Sequence, residues 1–413
     1  MSAQSSAPSR AIPGATALAA LLASLSMLGP FSIDAYLPAF PAIQASLQAS
    51  PLELQQSLTL YLLSFAGMVL WHGALSDAFG RRRVILLSLL AFAVGTTGCA
   101  MAESVHTLWF WRIVQGMSSG AGVVVGRAII RDLHNDAAAA RLLSMVTMIF
   151  SIAPAIAPVL GGAVVTQFGW RAIFIGMLAY SLLLWGYCYL RLPETLAPAQ
   201  RQPFHPRQLL RNYREILRSP LFHLKSGVVA LNFAGLFLYI ASAPVFLPRH
   251  LGLGPHQFGW LFIPAVGGVF CGALAANRIA GRMAFSRQIG IGFGLLISAT
   301  LVNLAYHFWC LPALPWSVLP LFVYTFGMSL VAPGATLLAL DLFPHIRGTV
   351  ASCQSFATTL MGAVVAGVVA PVLSQSVFWL AAGQTAFSVS ALVLWLTAHN
   401  YRSMLLRHPD HER

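Results

Sequence analysis

At 413 residues, 58% of them hydrophobic and 8% charged, the chain is far more apolar than a soluble protein, in which about 45–50% of residues are apolar and about 25% charged. A water-soluble fold is excluded, and no polar stretch is long enough for a separate soluble domain. The formal net charge of +13, from 24 Lys and Arg against 11 Asp and Glu, does not point to nucleic acid: the cations fall in short clusters between apolar stretches, as they do in the cytoplasmic loops of membrane proteins.

The first ten residues, MSAQSSAPSR, are polar and lead into an apolar run that continues to about Ala39. This run exceeds the ~7–15-residue core of a cleaved signal peptide and is read as a retained first helix. Stretches of the ~20 apolar residues needed to cross a bilayer lie at 15–39, 53–76, 84–102, 107–129, 138–165 and 171–191, then at 223–247, 256–279, 288–307, 317–341, 347–373 and 379–400, predicting twelve membrane helices. The polar insert Leu192–Phe222 carries Arg201, Arg207, Arg211, Arg214 and Arg218 and divides the spans six and six. The expected organisation is an N-terminal bundle over 1–191, a cytoplasmic loop over 192–222, and a C-terminal bundle with a short tail over 223–413.

With both termini and the insert on one side, 21 Lys and Arg fall there, two (Arg171 and Arg249) fall opposite, and one, Arg112, falls inside a span. That asymmetry places both termini in the cytoplasm. Arg-rich loops follow span 2 (Arg81, Arg82, Arg83) and span 8 (Arg278, Arg282, Arg287), which suggests a parallel six-plus-six repeat. Small residues four apart, as in Gly116/Gly120, Gly122/Gly126, Gly268/Gly272 and Gly362/Ala366, are read as close helix contacts in lipid.

Asp34 lies deep in an otherwise uncharged run, MLGPFSIDAYLPAFP. A charge at the bilayer centre costs about 2.5–3.5 kcal/mol or more, so this carboxyl should face a cavity or a partner, where it can take a proton from one side and release it to the other. Ser57, Tyr61, Ser64 and Met68 on span 2 and Asn232, Gly235, Tyr239 and Ser242 on span 7 recur at helical spacing. They are candidate pocket residues, although such stripes also serve inter-helix packing. In GALSDAFGRRR, Gly73 permits close contact, Asp77 can accept from an arginine or a helix N-terminus, Gly80 allows the turn, and Arg81–Arg83 sit at the membrane surface.

Arg112, in WFWRIVQG, shares a helix face with Gln115 and Gly116, cannot lose its charge, and must point into the bundle to hold a carboxylate or backbone carbonyls. In span 5, SIAPAIAPVLGG sets Pro154, Pro158, Gly161 and Gly162 on about one face of a bent helix. Five widely spaced cysteines without a CxxC pair, and scattered histidines, indicate neither a disulfide framework nor a metal site. The single lysine, Lys225, follows no phosphate-cradling glycine loop, so transport driven by this chain's own ATPase is excluded.

Taken together, DAYLPAFP (Asp34–Pro41), GALSDAFGRRRV (Gly73–Val84), RIVQG (Arg112–Gly116), RDL (Arg131–Leu133), APAIAPVLGG (Ala153–Gly162), GWRAIF (Gly169–Phe174), LPET (Leu192–Thr195) and RGTVAS (Arg347–Ser352) resemble the major facilitator superfamily. The likeness is strongest to its drug:proton antiporters of the bicyclomycin and chloramphenicol resistance (Bcr/CflA) type. It implies an all-α membrane protein of two six-helix bundles working by alternating access.

In the roles carried over, Asp34 is the proton- or drug-linked carboxylate, Arg112 supports it, and Gly73, Asp77, Gly80 and Arg81 form a latch against helix 11. Ala157 departs from the glycine usual before the second proline of the helix 5 motif, and the second half's GALAANRIAGR lacks the aspartate. The function expected is proton-coupled export of small amphipathic compounds by a monomer in a bacterial inner membrane. No cofactor, metal or nucleic acid takes part, and the proton gradient supplies the energy. The alternative is export of one endogenous metabolite, such as an amino acid or sugar derivative.

Overall fold

Inside a bilayer every backbone N–H and C=O must find its partner within the chain, and apolar stretches of this length meet that demand as helices. The computed structural model describes residues 14–134 and 136–407. The polar first ten residues and the end of the C-terminal tail, both expected in the cytoplasm, lie outside them. Among the described residues twelve helices are long and apolar enough to cross a membrane: α1 Ala15–Leu47, α2 Pro51–Phe79, α3 Arg81–Ala100, α4 Val105–Leu133, α5 Arg141–Phe168, α6 Arg171–Arg191, α7 Pro220–His250, α8 Pro255–Ile279, α9 Phe285–Trp309, α10 Leu319–Leu340, α11 Pro344–Leu373 and α12 Val377–Tyr401. They form two six-helix bundles.

Three departures from the sequence reading have local causes. The first span does not end at Ala39: after Asp34 the helix tightens into a 3₁₀ turn at Leu37–Ala39, around Pro38, and resumes over Phe40–Leu47. Pro38 has no N–H to continue the ladder, and the chain bends rather than stops. The insert 192–222 is not a plain loop. It holds a helix, Pro206–Leu217, whose Tyr213 and Ile216 pack with Phe222, Val350, Cys353 and Leu70, and its last residues belong to α7, capped by Ser219 on Phe222 N–H at 3.3 Å. Arg112 is not the only cation within a membrane helix: Arg127, already inside the stretch 107–129, is exposed on α4, and the helix runs on to Leu133 to take in Arg131 as well.

Of the glycines spaced four apart, Gly116, Gly122, Gly268 and Gly272 bring helices into backbone contact, whereas Gly120, Gly126 and Gly362 meet only side chains. A Cβ on Gly268 would stand 2.1 Å from the Phe322 carbonyl oxygen of α10, and one on Gly122 would stand 2.3 Å from that of Leu25. Between the halves, α2 lies along α11, and α5 lies against the start of α8. Gln55 donates to the Ala241 carbonyl at 3.2 Å and Gln56 to that of Gly367 at 3.1 Å. These bonds join the bundles at the end of α2 remote from Gly80.

Candidate functional site

Asp34 closes the first helical segment of α1 and is the one buried acidic side chain among the described residues. The backbone around it departs from the α pattern: Tyr36 N–H bonds the Ile33 carbonyl at 3.2 Å rather than that of Ser32 four residues back. The Ser32 carbonyl is thereby left free for a partner from another helix, and Arg112 takes it at 3.0 Å. On the other side of Asp34, a Cβ on Gly161 of α5 would lie 2.2 Å from the Ala35 carbonyl oxygen. The carboxyl is thus bracketed by a contact from α4 and one from α5, while no described residue comes within hydrogen-bonding or ion-pairing distance of it.

Arg112 is wholly buried. It donates to Gln115 Oε1 at 2.6 Å, and its guanidinium carbon lies 4.6 Å from the Tyr36 ring centroid and 4.2 Å from that of Tyr61. Gln115 passes the network on to Thr96 Oγ1 at 2.9 Å. Tyr36 meets Ser57 at 2.7 Å, and Tyr61 reaches Ser119 at 2.8 Å and the Gly29 carbonyl at 3.3 Å. One cation, two aromatic faces and a chain of hydroxyl and amide groups therefore tie α1, α2, α3 and α4. Of the two partners the sequence allowed for Arg112, the structure supplies a backbone carbonyl. Its Nε and Nη2 meet no hydrogen-bond acceptor among the described residues, so the aromatic rings supply the rest of its electrostatic shell.

At the α2–α3 turn Gly80 adopts φ +96°, a backbone open to glycine, and a Cβ there would also strike Glu194 Oε2. Arg81 is engaged on three sides: Nη1 to Asp77 and to Ser76 Oγ at 2.7 Å, and Nε to Asp132 at 3.0 Å. Its backbone N–H donates to Glu194 at 2.9 Å, and Thr195 donates to Asp132 at 2.9 Å. Sequence reasoning assigned no role to Asp132, Glu194 and Thr195, although RDL and LPET were legible as motifs. Asp77, Gly80 and Arg81 meet the end of α4 and the segment after α6, with no hydrogen bond or ion pair from them to α11 among the described residues. Gly73 makes only ordinary contact, 3.7 Å from Val124, so its expected close approach is absent.

The helix 5 motif begins at a break: α5 turns at Ser151–Ile152, and Pro154 opens the segment Ala153–Phe168 with Pro158 inside it. Gly161 faces α1, whereas a Cβ on Gly162 would lie 2.1 Å from the Pro255 carbonyl oxygen of α8, in the opposite half. Ala157 is fully buried, so its methyl group fits where glycine was expected.

The candidate pocket stripes lie as follows. Ser57 and Tyr61 point into their own bundle, Ser64 donates to the Tyr61 carbonyl at 2.9 Å, and Met68 lines a crevice between α2 and α3. In the other half, Tyr239 accepts from Asn303 at 2.6 Å, Gly235 meets the Tyr324 hydroxyl, and Gln384 donates to the Gly235 carbonyl at 3.3 Å. Asn232 and Ser242 are buried, their side-chain polar atoms without partners among the described residues. Helical spacing marked a polar face in each case: Ser57, Tyr61, Ser64 and Tyr239 hydrogen-bond within their own bundle, whereas Asn232 and Ser242 leave polar atoms without partners among the described residues. No cluster of His, Cys, Asp and Glu suited to a metal is found among the described residues.

The sequence profile described as Major Facilitator Superfamily matches residues 21–366. The chain is 27% identical over 397 residues to the bicyclomycin resistance protein homolog of Haemophilus influenzae, covering 92% of this chain and 96% of that protein. It is 29% identical over 345 residues to the multidrug transporter MdfA of Edwardsiella ictaluri, covering 82% of each. The crystal structure of the human organic anion transporter MFSD10 (TETRAN) superposes with a TM-score of 0.67 at 22% identity, over 94% of this chain and 99% of that one, a likeness of fold.

Proposed function

The chain belongs to the Major Facilitator Superfamily and is a transporter rather than an enzyme, and from that premise we propose that it exports small amphipathic compounds in exchange for protons. The observation that carries the reading is Asp34, a lone buried carboxyl at a break in α1, held between backbone contacts from α4 and α5 and free of a fixed ionic partner. Ionisation so costly inside a bilayer is hard to account for unless the cycle uses it. The names of the two relatives, one for bicyclomycin resistance and one for multidrug transport, support drugs as cargo.

In this reading substrate loads from the cytoplasm or inner leaflet while Asp34 is deprotonated. A proton from the periplasm then neutralises Asp34 and the substrate leaves. Arg112 pins the last turn of the α1 segment, and the Gly80–Arg81 turn holds the cytoplasmic ends of α2, α3 and α4. Both termini are cytoplasmic in a bacterial inner membrane, so the end sealed by Gln55 and Gln56 is the periplasmic one. A C-terminal alkaline phosphatase fusion should be inactive, and an active one means that the helix count is wrong by an odd number.

The decisive experiment is substrate-induced proton release from purified protein across a range of pH. Asp34→Asn should abolish both release and proton-driven export while the protein remains folded and inserted. If the variant releases protons and exports like the original, the coupling carboxylate lies elsewhere. An efflux panel of antibiotics and metabolites, with and without a protonophore, separates multidrug export from export of a single metabolite.

A further inference from the structure

Between α2 and α3, on the Gly80 side, lies a cavity of about 490 Å³ whose lining is overwhelmingly apolar, within the ~300–1,000 Å³ range of small-molecule sites. Phe79 of α2, Leu87 of α3 and Met117 of α4 face it and are substantially exposed, so it opens sideways, toward lipid. Its one formal cation is Arg83. Of the three consecutive arginines, Arg81 is engaged by Asp77 and Asp132, and Arg82 donates to the Tyr189 carbonyl at 2.8 Å. Arg83 is exposed at the membrane surface and forms no hydrogen bond or ion pair with the described residues. Arg83, Leu87 and Ala91 recur every four residues, which stacks cation, apolar wall and small residue on one face of α3.

We propose that this crevice is a site for one anionic bilayer phospholipid, its phosphate on Arg83 and one acyl chain laid between α2 and α3. Two features select that occupant. From Phe79 down to Met68 the α2 wall descends about 16 Å at ~1.5 Å per residue, which is the depth of one leaflet of a ~30 Å hydrocarbon core. The cation stands at the mouth and the interior is apolar, the order of charge and chain in a phospholipid. The guanidinium fork fits the phosphate that every phospholipid carries, and preference for an anionic one comes from its net charge, which no headgroup cation offsets. A polar solute would seek a different anchor, the buried His72, whose Nδ1 lacks a partner at the crevice wall.

The test is native mass spectrometry of the full chain reconstituted in nanodiscs of mixed phosphatidylglycerol and phosphatidylcholine. One phosphatidylglycerol should be retained per chain with about a fivefold preference, the factor that ~1 kcal/mol per surface cation gives. Arg83→Gln should remove the preference and Arg83→Lys restore most of it. Ala91→Phe, which fills the crevice, should remove the retained lipid of either headgroup while far-UV circular dichroism stays unchanged. Retention unaltered by both Arg83→Gln and Ala91→Phe would overturn the site. So would displacement of the lipid by a transported compound whose binding falls in His72→Leu, since the crevice would then hold a polar solute.

Discussion

The turns after α2 and after α8 are both made by a glycine at positive φ, +96° at Gly80 and +74° at Gly281, and each glycine is followed by an arginine. Around Gly80 the arginine is enclosed by Asp77, Asp132 and Ser76 while Glu194 caps its backbone. Around Gly281 a Cβ would meet nothing within 4 Å, and four residues into the motif, where the first half has Asp77, the second has Ala276. The same division runs through the bundle interiors. The first half is organised by the charged Arg112 beside the buried Asp34, whereas the second is organised by neutral groups, Tyr239, Asn303, Gln384 and Tyr324. The repeat supplies two similar backbones, but the Arg112 network of the first has no charged counterpart among Tyr239, Asn303, Gln384 and Tyr324, and the buried cation of the second half, Lys225, sits near the start of α7, where it donates to the Leu338 carbonyl at 2.8 Å.

The largest break of that comparison should come at Arg112. Arg112→Lys keeps the charge but cannot reach the Ser32 carbonyl and Gln115 together while stacking on two tyrosine rings. Transport in proteoliposomes should fall by at least about tenfold, the factor for ~1.4 kcal/mol, with insertion retained. Activity equal to the parent would mean that charge alone suffices.

Next in size is the pair of turns. Arg81→Gln or Asp77→Ala should slow exchange between inward- and outward-open states severalfold while substrate affinity stays near the parent value, whereas Arg282→Gln should change neither. Distance distributions between spin labels on the two bundles measure the exchange, and equilibrium binding measures the affinity. Weaker binding with unchanged exchange in Asp77→Ala would instead move Asp77 into the substrate site.

The smallest effect belongs to the neutral network. Tyr239→Phe removes one acceptor from Asn303 and should cost about 1 kcal/mol of stability, read as a lowered thermal midpoint, with substrate affinity unchanged. A specific loss of affinity would restore Tyr239 as a pocket residue.

Twelve spans were legible because apolar length is a local property, and Asp34 was legible because a lone carboxyl in such a run has few bland explanations. The role of Glu194 was not. It lies over a hundred residues from Gly80, and nothing in LPET states that its acid will accept from the Arg81 N–H. Asn232 and Tyr239 were legible only as members of a polar face: a period of 3.6 identifies such a face but not whether it meets the facing bundle or its own neighbours. Gly73 shows the limit of composition, since a small residue permits a close approach that Val124 does not make.

Gly161 and Gly162 are neighbours on one helix yet press against opposite halves of the molecule, Gly161 on the carbonyl beside Asp34 and Gly162 on the first residue of α8. Successive side chains on a helix point about 100° apart, so α5 touches both surfaces at a single level, as a cam does. Turning it about its axis cannot relieve one contact without disturbing the other. In the proposed proton-exchange cycle this would act as an interlock: the seal between the halves and the backbone of the ionisable site move together. Slippage, in which the seal opens while the carboxyl keeps its proton state, would require breaking two backbone contacts at once.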